Sequence, residues 1–91
     1  MPYLQNNDKD SIDNQGGIDV CEKFSAMEIT DFAGALNYLN DKIVKTWIEK
    51  NGKKYFIFAV IAGTLVCCIL EIYRRLIAPY EDKKISENGD I

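Results

Sequence analysis

Residues 55–73 read YFIFAVIAGTLVCCILEIY, and residues 55–70 carry no charge. At about 1.5 Å per residue, a helix of this length approaches the ~30 Å hydrocarbon core of a bilayer. Basic residues and tyrosines, which are typical of membrane interfaces, flank the stretch; they are Lys53, Lys54, Tyr55, Tyr73, Arg74 and Arg75. We therefore predict a transmembrane anchor over residues 53–77. The alternative is a buried core helix of a soluble domain, which needs more surrounding apolar surface than a chain of 91 residues offers.

The length and composition of the chain exclude several classes of protein. A chain of 91 residues allows one small unit, and a net charge of -3 without a basic face argues against a nucleic-acid binder. The sequence has no histidine, no Cys-x-x-Cys pair and no glycine-rich phosphate loop. It also lacks a nucleophile placed beside a base. We therefore expect no enzyme activity, no bound metal and no cofactor.

The start of the chain does not resemble a targeting peptide. Residues 1–10 read MPYLQNNDKD, which is too polar and acidic for a signal or transit peptide. The three cysteines are Cys21, Cys67 and Cys68, which do not make a disulfide framework and fit a reducing compartment or thiols in lipid. We expect a tail-anchored protein, in which the apolar span is the targeting information and the N-terminal side faces the cytosol.

The whole sequence predicts an all-α fold, in which an amphipathic helix precedes a single transmembrane helix and both tails are disordered. Residues 1–24 are rich in Asn, Asp and Gln and hold few apolar residues, which predicts a disordered acidic tail. Residues 78–91 predict a polar C-terminal tail, and Pro79 is expected to end the last helix. The amphipathic interaction helix is predicted over residues 25–52.

One apolar stripe runs along the amphipathic helix. Ser25 and Glu28 have the spacing of a capping box, so the helix is predicted to begin there. Asn51 and Gly52 are predicted to end it, because both residues tolerate a left-handed backbone. Apolar residues recur between these ends at steps of three or four; they are Ile29, Phe32, Leu36, Leu39, Ile43 and Trp47. We call these six residues the apolar stripe.

The apolar stripe needs a cover, which lipid, a partner protein or a second copy of the chain can provide. Helices that lie on a membrane surface favour a lysine-rich polar face. Here the first half of the polar face carries Glu28 and Asp31 instead. The charge pattern therefore favours a protein partner over the membrane surface.

Part of this helix resembles the second homology motif of the B-cell-lymphoma-two family of apoptosis regulators. Residues 38–41 read YLND and residues 46–52 read TWIEKNG, in the order and spacing of that motif. A C-terminal membrane anchor is also a feature of the family. The chain departs from the family at Lys53 and Lys54, which stand where the family has Gly and Trp. It is also too short for the family's helical bundle, so it cannot build the family's peptide-binding groove alone.

The same helix is similar to the third homology motif of that family, the short death helix. Four apolar side chains of that motif fill a groove on a pro-survival partner, and an aspartate pairs with an arginine of the groove. The matching residues here are Phe32, Leu36, Leu39, Ile43 and, for the acid, Asp41. The resemblance implies an apoptosis regulator of a mitochondrial or endoplasmic-reticulum membrane, with pro-survival or pro-death members as partners, bound through these residues and Trp47.

Two other functions remain open at the level of sequence. The first is a non-catalytic, single-pass accessory subunit of a larger membrane complex, such as a respiratory complex. The second is a viral membrane protein that oligomerises through its span. Ala59, Gly63 and Cys67 recur every four residues there, which is typical of helix–helix packing in lipid and allows a homo-oligomer. Glu71 continues this series and is predicted to pair with Arg74 and Arg75 on its own helix.

Overall fold

The computed structural model describes residues 3–90, and these form helices joined by short turns. In chain order the helices are α1 (Asn6–Ile12), α2 (Ile18–Ser25), α3 (Ile29–Asn51), α4 (Tyr55–Ile72) and α5 (Ala78–Asn88). A kinked turn, Asp13–Gly17, connects α1 to α2, and a π-helical turn, Tyr73–Ile77, connects α4 to α5. Within the described residues there is no strand, so the predicted all-α class is confirmed. The chain divides into two compact units, residues 3–52 and residues 53–90.

The N-terminal segment is helical where the sequence predicted a disordered tail. Helices α1 and α2 cover most of residues 6–25, and a kink at Gly16 separates them. Gly16 has φ of +117°, a backbone conformation that favours glycine. At the next residue, Gly17, a Cβ atom would lie 2.9 Å from the carbonyl oxygen of Ile12. The two glycines therefore form a tight turn between helices, although a glycine pair in a polar segment predicts disorder.

Helix α3 begins one turn later than predicted. Ser25 belongs to α2, where its Oγ donates a 2.7 Å hydrogen bond to the carbonyl of Glu22. The predicted capping box therefore does not form, and extended Glu28 precedes α3 without a side-chain cap of its own. The other end is confirmed, because α3 ends at Asn51 and Gly52 follows with φ of +100°. Asn51 Nδ2 donates a 2.9 Å bond to the carbonyl of Trp47 and so occupies one carbonyl of the last turn.

The predicted helix end at Pro79 is wrong, since the helical path runs through it. A proline inside an α-helix clashes with the carbonyl four residues earlier, which here belongs to Arg75. The π-helical turn Tyr73–Ile77 widens the backbone at this point, and Pro79 then lies in the first turn of α5, where its missing N–H is no loss. The polar tail is therefore helical to Asn88, and Gly89, whose φ is +87°, follows the end of α5.

The continuous helical path Tyr55–Asn88 is long and apolar enough to cross a membrane. Its apolar part, α4, has large side chains exposed around the helix, among them Phe56 (63% exposed), Val60 (62%) and Ile69 (65%). In the described part of the chain, the buried apolar side chains are Ile48 and Ile57 alone. Two side chains cannot form a hydrophobic core. Most large apolar side chains in the described part of the chain are therefore exposed.

Candidate partner-binding surface on α3

The apolar stripe (Ile29, Phe32, Leu36, Leu39, Ile43 and Trp47), named the α3 stripe, lies on one side of α3 and is largely open. Four of its six side chains are exposed, namely Ile29 (76%), Leu36 (50%), Ile43 (59%) and Trp47 (49%). Phe32 and Leu39 are half-buried. At about 100° per residue, all six fall within an arc of about 80°. An apolar row of this width fits a complementary groove or a second helix.

Helix α2 covers the N-terminal end of the stripe. The rings of Phe24 and Phe32 meet edge to face, with centroids 6.1 Å apart and planes at 84°. This is a favoured arrangement for aromatic pairs, and it explains why Phe32 is less exposed than the neighbouring Leu36. Phe24 therefore covers the first of the four residues that match the death-helix motif.

This contact leads to a prediction about α2. Phe24→Ala should loosen α2 from α3, because it removes an aromatic pair worth about 0.5–1.5 kcal/mol beyond its buried area. We expect faster amide hydrogen exchange over Ile18–Ser25 with little change in the second half of α3. The matched control is Val20→Ala on the same helix, whose side chain is 39% exposed. Equal exchange in the two variants would mean that the Phe24–Phe32 contact does not hold α2.

The C-terminal end of the stripe borders an open depression. Its volume is about 550 Å³, and its lining residues are Ile43, Thr46, Trp47, Lys50 and Asn51. All five belong to the last turns of α3, so the depression is a surface recess beside the Trp47 ring and not an enclosed site. It adds aromatic surface and one lysine to this end of the stripe.

Asp41 lies away from the stripe. It is exposed, and at about 100° per residue it points about 140° from Leu36. A partner that holds Leu36 deeply must therefore reach around the helix to pair with Asp41. Lys42 is on another part of the polar face, where its Nζ lies 5.5 Å from the ring centroid of Tyr38.

Sequence reasoning missed a second apolar strip on α3. Ile48 is buried and Val44 is half-buried, and both lie about 80–120° from Leu36 on the helix surface. Val44 and Ile48 are four residues apart, which is a helical spacing, but they lie outside the six-residue pattern from which the apolar face was predicted. Val44 and Ile48 are less exposed than four residues of the stripe, which form the open apolar surface of α3; they are Ile29, Leu36, Ile43 and Trp47.

The predicted packing residues of α4 lie along one row of that helix. Ala59 is exposed and Cys67 is half-buried. A Cβ atom at Gly63 would meet no atom within 4 Å, so the space beside this glycine is open. A second helix can approach the backbone closely at such a point.

The predicted ion pairs of Glu71 are confirmed. Its Oε1 lies 2.6 Å from Nη2 of Arg74 and 2.6 Å from Nε of Arg75. The two arginines stand one turn further along the helical path and are the first basic residues after the uncharged run of residues 55–70. Pairing within one helix neutralises the acid at this boundary and removes the need for a partner's base.

The chain matches, over residues 1–91, the family described as a domain of unknown function (DUF6899). The chain belongs to this family. Because the match spans the whole sequence, the family's domain includes both α3 and the apolar helix α4. No curated protein and no solved structure matches the chain. The resemblance to apoptosis regulators therefore stays a prediction.

Proposed function

We propose that this chain is a membrane-anchored binding protein, which is held in a bilayer by α4 and presents the α3 stripe to a protein partner. The observation that carries the proposal is the exposure of Ile29, Leu36, Ile43 and Trp47 on one side of α3. Burying a large apolar side chain contributes about 1.5–3 kcal/mol, so an open row of four is a strong drive for association. The apolar length of α4 supports the anchor.

The partner class follows from the resemblance noted above. We propose that the stripe enters the groove of a pro-survival member of the B-cell-lymphoma-two family, and that the chain regulates apoptosis from a mitochondrial or endoplasmic-reticulum membrane. Spacing supports this reading, because Phe32, Leu36, Leu39 and Ile43 occupy one side of a single helix. Phe32 must exchange its contact with Phe24 for the groove, so α2 has to move when the partner binds.

A binding titration tests the partner class. The full-length chain in mild detergent is titrated with purified pro-survival proteins, and with the same proteins whose groove is filled by a known death-helix peptide. We expect saturable binding in the first case and none in the second. Binding that is unaffected by a filled groove would place the contact elsewhere, and a complete lack of binding would reject this partner class.

The cytosolic placement of the N-terminal unit is part of the same proposal, because the partners that the resemblance implies act in the cytosol. Protease added to intact organelles should remove an epitope fused before residue 1. Protection of that epitope, with cleavage of a tag placed after residue 91, would reverse the orientation.

The open space beside Gly63 favours a second candidate function, a non-catalytic accessory subunit whose span packs against other helices of a membrane complex. In that case Gly63→Ile should abolish association within the membrane, because the added side chain blocks close approach. Ala62→Ile places the same side chain at the preceding position, off the row, and should do little. Crosslinking in membranes measures both, and equal behaviour of the two variants would reject the helix–helix contact.

A further inference from the structure

We propose that the α3 stripe also pairs with the α3 stripe of a second copy of the chain, in an antiparallel arrangement. The inference rests on the proposed use of this stripe as the binding surface and adds that the chain competes with its own partner. The observations behind it are the seven-residue spacing of the exposed side chains and the opposite charges at the two ends of the stripe.

The spacing of the stripe is that of a helix pair. Ile29, Leu36 and Ile43 follow one another at intervals of seven residues, and Phe32 and Leu39 lie three residues after the first two. This is the a and d pattern of a two-helix seam, in which side chains of one helix fill the holes of another. Thr46 and Lys50 occupy the next d and a positions, so the apolar seam closes at the end of α3.

The charges at the ends of the seam select the direction. Glu28 is the extended residue directly before Ile29, and Lys50, in the last turn of α3, lies within the arc of the stripe. A parallel pair would place each of these charges beside its own copy. An antiparallel pair in which Leu36 lies beside Leu39 of the second copy brings Glu28 within about 4.5 Å, along the helix axis, of Lys50 of that copy. Two-fold symmetry then gives this pairing twice.

Lipid is a poorer cover for this seam. The stripe has an acidic residue, Glu28, at its start and a basic residue, Lys50, at its end. A helix that lies on a membrane surface favours basic residues along its polar flank instead. An antiparallel second copy pairs Glu28 of each chain with Lys50 of the other. Because the stripe that would enter a partner's groove is the same one, self-pairing holds the chain in a state that cannot bind the partner.

Crosslinking of single-cysteine chains tests the pairing and its direction. Cys21, Cys67 and Cys68 are first replaced by serine in the full-length chain in mild detergent. A short bismaleimide crosslinker should then join two copies of a Leu39→Cys chain, since these residues lie near the symmetry axis. Ile29→Cys should give little product, because the two copies of residue 29 are about 25 Å apart along the axis. Efficient crosslinking of both variants would mean a parallel pair. No crosslinking of either variant would mean that the stripes do not pair. Either result overturns the proposal.

A charge exchange provides the second readout. Glu28→Lys should weaken the dimer about tenfold in analytical ultracentrifugation, because two attractive contacts become repulsive. Combining Glu28→Lys with Lys50→Glu should restore the dimer. Asp31→Lys is the matched control, since it makes the same charge change in the first turn but lies on the far side of α3 from the stripe. Failure of the double variant to recover, or an equal loss with Asp31→Lys, overturns the assigned charge pairing.

The two proposals fail separately. A chain that does not dimerise yet binds a pro-survival protein overturns self-pairing alone. A chain that crosslinks at residue 39 but binds none of these proteins overturns the partner class alone. If both hold, the dimer-weakening Glu28→Lys chain should bind the partner more tightly than the wild-type chain does.

Discussion

Arginine at both Val60 and Val66 should release the chain from membranes. The two residues lie near the middle of α4 and are 62% and 54% exposed, so replacing them disturbs little packing within the chain. In lipid, each arginine near the helix centre costs about 2.5–3.5 kcal/mol. Two of them cost about 5 kcal/mol or more, which lowers the constant for partition into the membrane by about a thousandfold or more.

Flotation of the purified chains with liposomes measures this effect. The wild-type chain should float with the liposomes, and the Val60→Arg, Val66→Arg chain should stay at the bottom. The control carries Tyr80→Arg and Ile85→Arg in α5, whose side chains are also exposed and whose helix is polar. It should float like the wild type. A wild-type chain that stays soluble without lipid would contradict the anchor and favour the core-helix alternative, in which other chains cover α4.

Truncation of Leu36 should produce the largest loss of partner binding. Leu36 lies in the middle of the α3 stripe and is 50% exposed, so it is free to enter a groove without first breaking an internal aromatic contact. Removing a central buried residue from an interface typically costs about 2 kcal/mol or more. Leu36→Ala should therefore weaken binding about thirtyfold, and Asp41→Ala should also weaken it, because the partner's base loses its counter-charge.

Lys42→Ala is the matched control for that experiment. Lys42 lies on the polar face of α3, where its Nζ contacts the exposed Tyr38, and its removal should leave binding nearly unchanged. Isothermal titration with each variant gives the comparison. Similar losses for Leu36→Ala and Lys42→Ala would show that the stripe does not enter the partner, and would leave the accessory-subunit function as the better proposal.

The features that local chemistry determines were predicted from the sequence. The end of α3 followed from Asn51 and Gly52, because a left-handed residue is the ordinary helix terminator. The pairing of Glu71 with Arg74 and Arg75 followed from their spacing of three and four residues. The long apolar helix followed from an uninterrupted run without charge. Each of these depends on residues within one or two turns.

The missed features depend on how successive segments meet. The composition of residues 1–24 predicts disorder. The ring of Phe24 nevertheless packs against the ring of Phe32, and this contact joins α2 to α3. Ser25 and Glu28 have the spacing of a capping box, but Ser25 belongs to α2, where its Oγ donates a hydrogen bond to the carbonyl of Glu22. Pro79 indicated a helix end, since single-residue preference does not reveal a π-helical turn that relieves the clash. The α3 stripe was predicted residue by residue, while its partial cover by α2 was not.

Site-specific photocrosslinking in intact membranes tests the central claim most directly, namely that the α3 stripe binds protein. A photoreactive amino acid replaces Leu36 in one chain and Tyr38 in another; Tyr38 is 64% exposed and lies on the polar face. Position 36 should yield a discrete protein adduct, of a partner or of a second copy, and position 38 should yield little. A lipid adduct at position 36, or the same products from both positions, would contradict the account.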